Sequence, residues 1–219
     1  MSDSDQVMRG YYRTRAPVYD RVYAYPERQA DIAHLTEVLP PLFQNRRVLE
    51  VAAGTGFWTE RIGAVAESVL ATDITPETLA ELSSRQLPTS VSTRVADAYR
   101  LSELGERFDG LFAGLWFSHV RIDQRCAFLD SIHSVLEPGA RVVLLDNSRA
   151  QCERLPITYT DEHGNTFQDR ETDDGETHRV LKNFPDEEAL RGLVTDKAED
   201  VTFHSLDHFW WFSYRLQTE

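Results

Sequence analysis

Between Val48 and Asp146 the chain repeats one unit, a short apolar run, a turn and a stretch of helical patterning. No other feature constrains the fold as tightly. Strands separated by helices run parallel, and helices then cover both faces of the sheet. The apolar runs occupy 48–52, 68–74, 91–97, 108–116 and 140–146. Helices are expected from 57 onward, over 75–86 (Thr75 as cap, Pro76 at the first position), over 123–136 (ended by Glu137-Pro138-Gly139) and over 185–197. Runs at 201–207 and 210–216 read as a final pair of strands, most simply antiparallel.

Two segments fall outside this alternation. Residues 5–35 read as helical, with breaks near Pro17 and Pro26, and Pro40-Pro41 ends them. Residues 156–182 alternate in polarity and carry the turn signals His163-Gly164-Asn165 and Asp174-Gly175. Nothing in the composition marks a second domain. The expectation is one domain over 1–219, with an N-terminal helical segment over 1–40 and a hairpin insertion over 148–183 on the edge where ligands bind.

In an open α/β sheet that edge lies beyond the carboxyl ends of the strands. The first strand-to-helix turn reads Glu50-Val-Ala-Ala-Gly54-Thr-Gly56. A dinucleotide would require G-x-G-x-x-G there. Counted from Gly54 the third glycine position holds Thr59; counted from Ala52 it holds Phe57 and the first glycine is missing. An acid at Glu50 would also oppose a diphosphate, whereas it attracts a cation. S-adenosylmethionine (SAM) carries an amino group and a sulfonium, and no phosphate. Asp73 closes the second run, where it can accept from ribose hydroxyls, and Asp97 closes the third, where it can accept from an adenine amine flanked by Ala98 and Tyr99.

On these residues the chain resembles the class I SAM-dependent methyltransferases of small-molecule type. VLEVAAGTGFWTERI is similar to their first motif, with Ala52 where the family usually has glycine. ATDIT, VADAYR, FDGLFAGLWFSHV and LEPGARVVLLDNS are similar to the motifs that follow. The resemblance implies a mostly parallel seven-stranded sheet in the order 3-2-1-4-5-7-6, last strand antiparallel, in a three-layer sandwich. It implies SAM contacts from Glu50, Ala52, Gly54, Gly56, Asp73, Asp97, Ala98 and Leu115, and Ile74 beside Asp73 is a candidate for the same pocket. Trp58 is a further candidate for that pocket.

Methyl transfer needs alignment and, for some acceptors, removal of a proton, so no nucleophile motif is expected. The segment Tyr11-Tyr12-Arg-Thr-Arg15-Ala-Pro-Val-Tyr19 resembles the lid of small-molecule members, with Tyr12 and Tyr19 over the methionine end of SAM. Tyr11 and Arg15 are then candidates for the acceptor, together with Trp116, Asn147 and Arg149. His119 is the candidate base, having a pKa suited to the task. Lys182 and Asn183 rejoin the sheet after the insertion and are weaker candidates. His204 and His208 match no metal pattern, and the run Phe209–Phe212 reads as core or as a dimer contact.

Composition narrows the partners. The chain has 36 acidic residues against 23 Lys and Arg, a net charge of −13, which disfavours a nucleic-acid substrate. No apolar run has the length of a membrane span, the N-terminus lacks a signal-peptide core, and Cys126 and Cys152 read as reduced thiols. A cytoplasmic enzyme is expected, N- or O-methylating a small acceptor, aromatic or heterocyclic by the rings near the site. A nicotinamide oxidoreductase and a non-catalytic SAM-binding scaffold are the alternatives.

Overall fold

The structure is a computed structural model and describes residues 10–173 and 175–217. The expected helix over 5–9 and the turn residue Asp174 lie outside the described residues. Seven strands form the main sheet: β1 (Arg47–Val51), β2 (Ser68–Asp73), β3 (Val91–Val95), β4 (Phe108–Gly114), β5 (Leu136–Asn147), β9 (Ala198–Ser205) and β10 (Phe209–Leu216). Their order is β3-β2-β1-β4-β5-β10-β9, which is 3-2-1-4-5-7-6 when strands of this sheet are counted along the chain. β10 runs antiparallel to both neighbours, and the pairs among β1 to β5 are parallel.

β1 lies between β2 and β4, so its side chains meet covered space on both faces. Alternation sorts them. Leu49 and Val51 join Leu111, Phe128 and Leu190 in one core, against α5 (Arg125–His133) and α6 (Glu187–Val194). Val48 joins Leu35, Ile62, Leu82 and Phe112 in the other, against α2 (Gln29–Val38), α3 (Phe57–Gly63) and α4 (Pro76–Ser83). The same period puts Glu50 on the Val48 face. The run Phe209–Phe212 is buried core within β10, and His204 stacks on Trp211.

Three local expectations are corrected. Residues 10–15 form a short α-helix, α1, but Ala16–Tyr23 and Pro26–Arg28 are 3-10 turns, and Tyr25, which precedes Pro26, is extended at ψ 128° and breaks the helix there. Helix α5 ends at His133, not at 136. β5 begins at Leu136 and runs through Pro138 and Gly139, with a register shift opposite Phe108–Gly110, and Gly139 takes the positive φ of 75° at the irregularity. The insertion forms a small antiparallel sheet of β6 (Tyr159–Thr160), β7 (Thr166–Glu171) and β8 (Thr177–Leu181), in the order β6-β7-β8. Among the described residues no helix is long and apolar enough to cross a membrane.

Phe112 is fully buried on β4, with edge-on or tilted ring contacts to Phe43 and Trp58. Phe112→Ala should lower unfolding stability by about 3–5 kcal/mol, the range for truncating a buried aromatic, read from urea denaturation.

Candidate active site

The loops that follow β1, β2, β3 and β4 converge on one cavity of about 450 Å³, within the ~300–1,000 Å³ typical of small-molecule sites. Its lining takes Glu50, Ala52 and Gly54 from the first loop, Asp73 and Ile74 from the second, Asp97 and Ala98 from the third, and Leu115, Trp116 and His119 from the fourth. Tyr12, Tyr19 and Tyr23 of the N-terminal segment and Trp58 of α3 complete it.

The first loop is held by backbone geometry and by Asp73. Gly54 takes φ 58° with open space where a Cβ would sit, and its N–H donates to Asp73 Oδ2 at 3.1 Å. Thr75 N–H donates to the other oxygen at 2.8 Å. Burial still raises the Asp73 pKa, against those two amides. Ala52 and Leu115 also have positive φ, 53° and 56°. A non-glycine residue in that region costs on the order of 1–3 kcal/mol, and such residues cluster at ligand sites. Gly56 does not line the cavity. At φ 88°, with a would-be Cβ 2.7 Å from Leu82 Cγ, it is required by the packing of α4 against the loop.

Glu50 is 2% exposed, and its Oε2 has no hydrogen-bond partner. Burial pushes its pKa up to about 8, with Asp73 adding to the rise. A buried carboxylate facing a cavity without a counter-charge is poised for a cation. Trp116 Nε1 is a second buried atom of the lining without a partner. Asp97 accepts from Tyr99 N–H at 3.0 Å.

Over the cavity, the N-terminal segment is tied down by Asp20, which accepts from Thr55 Oγ1 at 2.6 Å and pairs with Arg85. Arg85 Nε also donates to the Thr55 carbonyl at 2.5 Å. Tyr12 reaches across to His119, with its hydroxyl 2.7 Å from Nε2. His119 Nδ1 lies 2.6 Å from the Leu181 carbonyl, an acceptor, so Nδ1 carries the proton and Nε2 accepts from Tyr12. Burial, helped by the charges of Lys182 and Arg170, holds the His119 pKa well below its usual value. Burial raises the Tyr12 hydroxyl to about 12.

Behind His119 lies a buried polar seam. Lys182 Nζ donates to Asp146 Oδ1 (2.8 Å), Ser118 Oγ (2.7 Å) and Asn147 Oδ1 (3.1 Å). Burial brings the Lys182 pKa down to about 8, against the opposing pull of Asp146. Asp146 accepts further from Ser118 N and Oγ and from Asn147 N. A second cavity, of about 40 Å³, shares Tyr12, Tyr19, Leu115 and His119 with the first.

The expected acceptor residues separate accordingly. Trp116 lines the larger cavity, and Arg15 and Asn147 line the smaller. Tyr11 lines neither; it is 1% exposed and accepts from Arg15 Nη1 at 2.6 Å. Arg149 is exposed on the turn after β5 and lines neither. Sequence reasoning missed Asp20, Thr55 and Arg85 as braces, and Arg28 and Arg170 of the small cavity. Asp20 had a legible signal, an acid directly after the lid tyrosine. Arg170 had none, because its place depends on how the insertion folds back.

This is the constellation of a nucleoside-binding Rossmann-like enzyme with an acidic loop, the class of the methyltransferases. The family described as "Methyltransferase domain" matches residues 48–139. The ubiquinone/menaquinone biosynthesis C-methyltransferase UbiE of Coxiella burnetii is 31% identical over 178 residues, 74% of this chain and 70% of that protein. The structure of DhpI bound to S-adenosylhomocysteine (SAH) superposes with a TM-score of 0.81 at 25% identity and covers both chains completely. A DhpI–SAM–HEP complex gives 0.80 at 25% identity, covering 98% of this chain and 99% of that one. The chain belongs to the class I SAM-dependent methyltransferases, and SAM is its cofactor.

Glu50 titrates in the folded chain at about 8, above the ~4.3 of an unfolded glutamate. The stability tied to its protonated form is complete below the lower value and is lost as pH rises through the upper one. Ligand-free Glu50→Gln should therefore melt higher than wild type at pH 8.5, with the difference shrinking toward pH 5, by about 2–4 °C per kcal/mol in a chain of this size. Scanning calorimetry at both pH values checks it.

Proposed function

We propose that this enzyme transfers the methyl group of SAM to an oxygen or nitrogen of a small polar acceptor, beneath a lid formed by the N-terminal segment. The observation that carries the reading is Glu50, a buried carboxylate whose Oε2 has no hydrogen-bond partner, on the lining of a cavity of about 450 Å³ that Gly54, Asp73 and Asp97 border. In this reading Glu50 accepts from the amino group of the cofactor, Asp73 from its ribose hydroxyls and Asp97 from its adenine amine. Ala52, Ile74, Ala98, Leu115 and Trp58 supply the apolar walls. Bound SAM supplies a methyl on a good leaving group, which leaves alignment, exclusion of water and proton disposal to the chain.

Tyr12 and Tyr19 close the cavity over the reacting end. His119 works through Tyr12. Its Nε2 holds the tyrosine hydroxyl, and its depressed pKa makes it a weak base near neutrality, so it is a positioning residue in this reading. A heteroatom acceptor is supported by the polar groups at the acceptor end, the Tyr12 hydroxyl, Arg170 and Asn147. A flat aromatic acceptor has less support. Phe117, the ring next to Trp116, is fully buried in core and does not line the cavity.

Two measurements test the reading. Holding an ammonium requires ionised Glu50, so SAH binding at pH 7 should release a proton. Its apparent affinity should fall roughly tenfold per pH unit on acidification below 8, and Glu50→Gln should remove that slope. Calorimetry in buffers of different ionisation enthalpy reads the proton. Finding no SAH heat while a nicotinamide dinucleotide binds would reject the assignment. For His119, the rate should show no inflection near pH 6.5, and His119→Gln should lower kcat across the whole range without changing the shape of the profile. A wild-type inflection near 6.5 that His119→Gln abolishes would make His119 the base instead.

A further inference from the structure

The small cavity beyond His119 has a charge pattern unlike the rest of this acidic chain. Arg15, Arg28, Arg154, Arg170 and Lys182 line it, and no Asp or Glu does. Glu27 neutralises Arg154 and Asp146 neutralises Lys182. Among the described residues, Arg15, Arg28 and Arg170 have no carboxylate within 4.0 Å.

Two of these guanidiniums are deeply buried, Arg28 at 5% and Arg170 at 7% exposure. Arg170 spends Nε and Nη2 on a single oxygen, Gln168 Oε1, and Nη1 lies 3.4 Å from the Tyr12 hydroxyl. Arg28 donates once, from Nη1 to the Val22 carbonyl at 3.2 Å, and its Nε has no partner. Asn147 Nδ2, in the same lining, is also an unpartnered buried donor. A buried cation is expensive without a counter-charge, and a buried donor without an acceptor adds to the cost. The ring faces of Tyr25 and Phe209 by Arg28, and of Tyr11 by Arg170, attract these cations but offer no acceptor to their N–H groups; a compact oxyanion, which a planar fork of guanidinium donors grips through two oxygens, would supply both charge and acceptors. The cavity of about 40 Å³ is small beside its neighbour of about 450 Å³, with which it shares Tyr12, Tyr19, Leu115 and His119, so it suits a headgroup whose remainder extends into the larger cavity. Gln151 Oε1 is an unpartnered acceptor in that lining, suited to a hydroxyl or amide on the same molecule.

We infer that the methyl acceptor is a small anion whose carboxylate or phosphoryl group is seated between Arg28 and Arg170, beside Tyr12 and Asn147. This rests on the reading of the larger cavity as the SAM site. The rival source of an oxyanion is the methionyl carboxylate of the cofactor itself, and the test separates the two.

Protein saturated with SAH is titrated with acetate, methyl phosphate and, as a neutral isostere, acetamide, by calorimetry and melting temperature. The expected result is saturable binding of acetate or methyl phosphate, on the order of 10 mM or tighter, with acetamide silent. The anion that binds more tightly identifies the headgroup. Arg170→Gln and Arg28→Gln should each weaken that anion at least about tenfold and leave SAH affinity within about twofold of wild type. Arg170→Lys keeps the charge without the fork and should retain part of the binding, which guards against loss by misfolding. Equal binding of acetamide, or no saturable anion binding, overturns the inference. So does an Arg170→Gln variant that loses SAH as severely as the anion, since the site would then serve the cofactor. Should SAH fail to bind wild type while an Arg170-dependent anion site persists, the cofactor reading falls and the anion site stands.

Discussion

A carboxylate buried near the end of an interior strand sets the terms for the rest of this molecule. Glu50 sits on β1, flanked on both sides by parallel neighbours, where almost every other side chain is apolar. Burial there opposes ionisation, and the unpartnered oxygen gains nothing from the folded chain alone. The fold carries that cost beside the glycine turn, where the backbone borders the larger cavity. Asp73 braces the turn through the Gly54 amide and is itself held by the Thr75 amide, and the positive φ at Ala52 and Leu115 stores further strain around the same opening. Ligand binding and local instability are therefore two faces of one arrangement.

The N-terminal segment borders the larger cavity and the insertion borders the smaller one, and each is fixed by polar contacts. Asp20 ties the 3-10 turn to Thr55 and Arg85, so the tyrosines are anchored to the glycine loop itself. The insertion is locked by Lys182 with Asp146 and by Asn183, which donates from its backbone to the Ser118 carbonyl and from Nδ2 to the Val120 carbonyl. A buried ion pair of this kind contributes little net stability, yet removing one partner strands the other. What the seam provides is position, placing β8 against the turn that carries His119.

The matched family region ends at Gly139, ahead of both Asp146 and the insertion. The residues that face the larger cavity from the sheet lie inside that region. Most of those around the small cavity, including Arg28, Arg154, Arg170 and Lys182, lie outside it. Under the function proposed above the division follows, since one nucleoside must be held in one way, whereas an acceptor end can vary with the segments added before and after the shared core.

From the sequence alone, period and punctuation determined the parallel core. Apolar runs too short for helices, with glycine, proline and acids at their ends, located β1 to β5 and the loop holding Glu50, Gly54, Asp73 and Asp97. These are local signals, carried by neighbours within a few residues. The tertiary structure alone decided what meets across the opening. Tyr12 and His119 are 107 positions apart, and Arg170 lies 158 from Tyr12; no spacing rule reaches that far. It also decided that Gly56 serves packing, that Arg149 turns outward, and that β5 starts at Leu136 through an irregular register, because each outcome depends on the volume and hydrogen-bonding groups of elements remote in the chain.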